Sequence, residues 1–81
     1  MKTYTLYSDP GHGWLKVARK ELIALDLMDK ITCSYQRKDF VYLEEDNDAS
    51  LFLDALKKQP KIKRNYTNKV SKIRNYEVFG G

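Results

Sequence analysis

Three groups of residues in this chain are of types that do chemistry. The first is Ser8-Asp9-Pro10-Gly11-His12-Gly13-Trp14, which holds the sole histidine between two glycines. Glycines let a backbone approach a ligand and leave N–H groups free, and an imidazole titrates near neutral pH, so His12 has the make-up of a general acid or base on a cradle. The same residues also make a tight turn, because Pro10 presets φ and the glycines accept positive φ. The phrase has neither the lysine and serine of a phosphate loop nor the spacing of a dinucleotide fingerprint. A turn is therefore expected, exposed enough for Asp9, His12 and Trp14 to touch a partner. A small-ligand site on the Gly-His-Gly loop is the lesser alternative.

The second group is Glu44-Glu45-Asp46-Asn47-Asp48. Clustered carboxylates can hold a divalent cation, but the alternating ligands and distal glutamate of a calcium loop are missing. Negative charge at a helix start is favourable by about 0.3–1 kcal/mol, which accounts for Asp46 and Asp48 without a ligand. The run also offers a surface to a basic partner. No metal site is expected, since one His and one Cys cannot by themselves supply the four ligands of structural zinc. Cys33, inside a predicted strand, reads as a small buried hydrophobe and not as a nucleophile. No catalytic residue is assigned, no cofactor is implied, and the chain is not expected to be an enzyme.

The third group lies in the C-terminal part, where Lys61-Ile62-Lys63-Arg64-Asn65-Tyr66 is echoed by Ser71-Lys72-Ile73-Arg74-Asn75-Tyr76. Lysine and arginine neutralise phosphates, asparagine hydrogen-bonds to bases and tyrosine stacks on unpaired ones, a mixture suited to single strands or RNA. The same mixture also makes a lysine-guarded edge strand with two core tyrosines. Lys61, Lys63, Arg64, Tyr66, Lys69, Lys72, Arg74 and Tyr76 are the candidates for contact with nucleic acid or a partner protein. They belong to a polarised chain. Residues 1–56 carry seven basic and ten acidic side chains, a net of −3, and residues 57–81 carry eight and one, a net of +7.

These groups must be positioned by a small fold. The 81 residues suffice for a single domain, 1–81, with residues 61–81 as a basic strand or tail within it. A hydrophobic content of 42% predicts a folded core. Alternation in TYTLYS (3–8) predicts a first strand from about Lys2 to Tyr7, and Trp14-Leu15-Lys16-Val17 a second, unless Trp14 opens a longer helix. Ala18, Leu22 and Leu25, widened by Ile23, make a helical stripe. Residues 31–36 and 40–45 flank the polar turn Arg37-Lys38-Asp39 as a hairpin. A second helix starts at Asn47 or Asp48, presents Phe52, Ala55 and Leu56, and is closed by Pro60. A strand, a loop around Asn68 and a short final strand or docked tail complete the chain. The expected class is α+β, a small antiparallel sheet with two helices packed on one face in the order β-β-α-β-β-α-β.

No signal peptide or membrane span is visible, so the cytoplasm is the expected location, with no membrane partner. The Asn65-Tyr66-Thr67 glycosylation match is then accidental.

Residues 7–15 (YSDPGHGWL), 34–36 (SYQ) and 42–48 (YLEEDND) resemble a family of small proteins encoded by bacteriophages and related mobile elements, over most of the chain. The resemblance implies a phage accessory protein, a kind that commonly binds and blocks a host complex, anti-CRISPR and other anti-defence proteins among them. The leading expectation is a non-enzymatic module that inhibits or modulates a host protein or nucleoprotein complex handling nucleic acid or defence. The alternative is a sequence-tolerant RNA- or single-strand-binding protein. An edge strand also offers a route to a homodimer.

Overall fold

The structure is a computed structural model and describes residues 3–31, 34–45, 47–56, 60–68 and 72–79. Strand β1, Thr3–Ser8, alternates as its sequence demands: Tyr4 and Leu6 are buried on one face, and Thr3, Thr5 and Tyr7 lie on the other. It turns through residues 9–12 into β2, Gly13–Ala18, which sits near the middle of the sheet and is buried on both faces around Trp14 and Leu15. Trp14 therefore opens a strand, not a helix.

Helix α1, Arg19–Ala24, follows β2 without a loop, and the Arg19 N–H donates to the Asp39 carbonyl. It has only six residues because the chain closes it at once. The Leu27 N–H reaches the Leu22 carbonyl at 2.9 Å and the Asp26 N–H the Ile23 carbonyl at 3.0 Å, with Asp26 at φ 57°. This is a Schellman closure in which an aspartate occupies the position that glycine usually takes, and Leu22 and Leu27 are both buried beneath it. Ile23 points outward and is 60% exposed, so it does not widen the buried stripe.

After a 3₁₀ turn at Met28–Lys30 come β3, Tyr35–Arg37, and β4, Phe40–Glu44, joined by Lys38 and Asp39 with Lys38 at φ 55°. The expected hairpin is present, with β3 shorter than its apolar run. Helix α2, Asp48–Leu56, buries Ala49 and Phe52, and its hydrogen bonding starts from Asn47, whose carbonyl accepts from Leu51. Strand β5, Lys61–Tyr66, a four-residue 3₁₀ helix, Lys72–Asn75, and a two-residue β6, Glu77–Val78, finish the chain.

The six strands form one sheet in the order β5-β1-β2-β4-β3-β6. The α+β class holds, but the sheet is mixed: β5 pairs parallel to β1, and every other pairing is antiparallel. The reason is the crossover. β4 ends at the same end of the sheet as β1, and α2 carries the chain back along its length, so the next strand starts where β1 starts and must run beside it in the same direction.

Both helices cover one face, where Leu22 of α1 and Ala49 and Phe52 of α2 pack on Tyr4, Leu6, Leu15, Val17, Val41 and Leu43. The opposite face carries a separate cluster in which Ile73 and Tyr76 of the C-terminal segment lie against Trp14, Tyr42, Tyr7 and Tyr35. The second basic phrase is thus not a strand; its Lys72–Asn75 core forms a 3₁₀ helix laid over the sheet. No helix among the described residues is long and apolar enough to cross a membrane.

Candidate binding site

The β1–β2 connection is a self-contained turn. Asp9 Oδ1 accepts from the Gly11 and His12 N–H groups at 2.9 Å each, and the Asp9 N–H donates to the His12 carbonyl. This Asx arrangement satisfies the loop's own backbone donors. Asp9 and Trp14, grouped by sequence with His12 as contact residues, are occupied inside the molecule: Asp9 is buried as the turn's acceptor, and Trp14 is 2% exposed between the rings of His12 and Tyr35, at 6.0 and 6.3 Å. The exposed residues of this loop are Pro10, Gly11 and His12.

The acidic run folds beside that turn. The Glu45 N–H donates to the Gly13 carbonyl at 2.9 Å, which joins the two phrases, and the Glu45 carboxylate folds over Gly13, where a Cβ would make it shift. Asp48 is buried and accepts from Ser34 Oγ at 2.6 Å, which ties the first turn of α2 to the chain entering β3. Asp46 and Cys33 lie outside the described residues. Among the described residues no three His, Cys, Asp or Glu side chains converge on a point that would hold a metal.

The basic phrases separate. All six residues of β5 are exposed, and four of the contact candidates, Lys61, Lys63, Arg64 and Tyr66, sit on it. The Thr67 N–H donates to the Ser8 carbonyl. Since alternate residues of a strand direct their N–H and C=O to the same side, Lys61, Lys63 and Asn65 bond towards β1, while the backbone groups of Ile62, Arg64 and Tyr66 face the open edge. The side chains alternate in the other sense: register with Thr3 and Thr5 puts Lys61 and Lys63 on the face away from the helices, and register with Leu6 puts Arg64 on the helix side.

Lys72, Arg74 and Tyr76 are on the 3₁₀ segment or just after it. Lys72 is exposed; Tyr76 is half-buried, with its ring 5.0 Å from Tyr42 and the Arg37 guanidinium 5.2 Å from its centre. Of Arg74 only the backbone is described, and Lys69 lies outside the described residues. Burial pushes the Tyr42 phenol above its ordinary pKa, Tyr76 and Tyr7 add to the rise, and Arg37 opposes it.

Three contributors to the basic surface were not singled out by sequence. Lys16, Phe40 and Arg37 lie on the same sheet face as Lys61 and Lys63. One row across the strands reads Lys63, Thr5, Lys16, Tyr42, Tyr35, and in the adjacent row Arg37 pairs with Phe40 and Phe40 with Ala18, while Thr3 pairs with Lys61. The Lys16 ammonium rests 4.1 Å above the Phe40 ring, which is 39% exposed. Lys16 had a signal available in sequence, being the one charge in an otherwise apolar strand and opposite in phase to Leu15 and Val17. The juxtaposition of Phe40 and Arg37 with β5 depends on strand order, which no local pattern carries.

Compared with known proteins, the chain matches no family model, no curated protein and no solved structure.

Proposed function

We propose that the protein is a non-catalytic, phage-type accessory module that binds and modulates a host complex handling nucleic acid or defence, in the host cytoplasm, through strand β5. The observation that carries this reading is β5 itself: a six-residue edge strand, exposed along its whole length, carrying three cations and a 63%-exposed tyrosine. Natural edges of that length are usually shortened, bulged or covered. Here the lysines guard against pairing with another copy, because like charges directly opposite one another repel, and they leave the strand open to an acidic partner.

The β1–β2 turn and the acidic loop support the edge indirectly. The Asx turn fixes Ser8, whose carbonyl anchors Thr67 at the end of β5. His12 stands at the tip as a second contact.

The test is affinity capture from host lysate, with and without nuclease, at low and high salt. A defined protein complex that survives nuclease and is lost in Arg64→Glu, with unchanged melting, is the expected result. Recovery of nucleic acid alone, released by salt, would replace this reading with direct nucleic-acid binding.

A further inference from the structure

We infer that the open half of the sheet face beside β5 is a platform for single-stranded nucleic acid. This rests on the proposed function for its setting and names one component of the complex that the protein engages. The face is defined by register: Lys61 and Lys63 of β5, Thr3 and Thr5 of β1, Lys16 and Ala18 of β2, Phe40 of β4 and Arg37 of β3 lie on the same side, away from both helices. Four are cations, one is an exposed aromatic ring, the rest are small, and none is acidic.

The acidic residues of the sheet and its loops lie elsewhere. Glu21 is the exception: it accepts from the Tyr4 hydroxyl and borders the depression lined by Thr3, Thr5, Lys16, Ala18 and Phe40. Glu77 accepts from Gln36, whose register partner Val41 belongs to the helix-side core. Glu44 and Glu45 are at the end of the sheet that holds the His12 turn, and Asp39 is in the β3–β4 turn. The covered half of the same face is sealed by Ile73 and Tyr76 over Trp14 and Tyr42. The open half therefore presents four cations next to a ring, with the Glu21 carboxylate at its border.

This combination is what an unpaired strand needs. Phosphates are neutralised by lysine and arginine, and a base stacks on an aromatic face in a sequence-tolerant way. The Lys16 ammonium lies 4.1 Å from the centre of the Phe40 ring, so a base that stacks on the ring displaces it and leaves the ammonium beside the base's own phosphate. From β5 to β3 the face spans four strand spacings, about 19 Å, or about six nucleotides at the stacked rise of about 3.4 Å per nucleotide. Arg37 extends the track into an open groove of about 490 Å³ lined also by Lys38, Lys72, Gln36, Tyr76 and Glu77, three cations against one carboxylate. A duplex is disfavoured, because its bases are already paired and cannot reach Phe40.

The experiment is fluorescence anisotropy with the purified protein and labelled dT12 and U12, against a duplex of the same length and against polyglutamate. Both single strands are expected to bind more tightly than either control. Four phosphate contacts give log affinity falling with log salt at a slope of about −3. Phe40→Ala is expected to weaken binding roughly 5- to 150-fold, and Lys16→Glu with Lys63→Glu to abolish it. Ile23→Ala, an exposed position of α1 on the other side of the sheet, should stay within about twofold of wild type. The inference is overturned if neither oligonucleotide binds at low salt, if duplex or polyglutamate binds as well, or if the Phe40 and Lys16/Lys63 variants bind like wild type while folded by melting. The two readings fail separately: a nuclease-resistant complex without oligonucleotide binding leaves the protein-docking function standing and removes the platform. Oligonucleotide binding without such a complex does the reverse.

Discussion

The two Arg-Asn-Tyr phrases, ten residues apart, end in opposite roles. In β5 the isoleucine is 36% exposed and the tyrosine 63%; in the second copy Ile73 is 3% exposed and Tyr76 is packed on Tyr42. Nearly the same letters give a strand at an open edge in one place and a 3₁₀ helix over an aromatic cluster in the other. The difference comes from what each copy meets. The first runs beside β1, which pairs with it along all six residues. The second is laid over Trp14 and Tyr42, which offer an apolar site for one branched side chain. Tertiary context decides between conformations that local propensity leaves nearly equal. One copy is packed against the sheet, and the other stays exposed at its edge.

Ile73→Ala should break the packed copy. Removing a buried isoleucine costs about 2–5 kcal/mol, which a chemical denaturation curve will show, while Ile62→Ala should cost under about 1 kcal/mol. Equal losses at both sites would erase the distinction. Tyr66→Ala should lie within about 0.5 kcal/mol of wild type, as expected of an exposed side chain, but weaken capture of the partner complex; a loss of stability without loss of capture would reverse its assignment.

The aromatic clusters also predict a pH dependence. Burial raises the pKa values of Tyr4 and Tyr42 in the folded protein, whereas in the unfolded chain a tyrosine titrates near 10. Folding thus favours the neutral phenols. Their contribution is present in full below about pH 10 and is lost as pH rises through the higher folded values. Melting temperature should fall on that alkaline side, and Tyr42→Phe should flatten the fall; an unchanged profile would mean that Tyr42 is not desolvated by the C-terminal segment. The smallest effect is at Asp26. Glycine tolerates its φ of 57° better, so Asp26→Gly should raise stability by about 0.5 kcal/mol by removing strain from the α1 closure. A decrease would mean that the aspartate side chain itself stabilises the turn.

Local patterns made much of this legible. The alternation of Tyr4 and Leu6, the turn at Asp9-Pro10-Gly11, the hairpin around Lys38 and the start of α2 near Asn47 are all set by neighbours in sequence. Other features were not. Ile23 looked like part of a buried stripe because periodicity cannot foresee that the Schellman closure at Asp26 leaves α1 only six residues. The parallel pairing of β5 depends on the crossover, and the 3₁₀ helix at Lys72 on a site built by Trp14 and Tyr42, some sixty and thirty residues earlier. For the candidate site, the cations of β5 were visible, while the burial of Asp9 and Trp14, and the contribution of Lys16, Arg37 and Phe40 from three other strands, required the register.

The most direct test of the account is charge reversal in β5, Lys63→Glu with Arg64→Glu, read by melting temperature and by nuclease-treated capture from host lysate in parallel. The account predicts an unchanged melting transition and loss of the captured complex. A variant that melts like wild type and retains the complex in full would show that β5 is a guarded edge and nothing more.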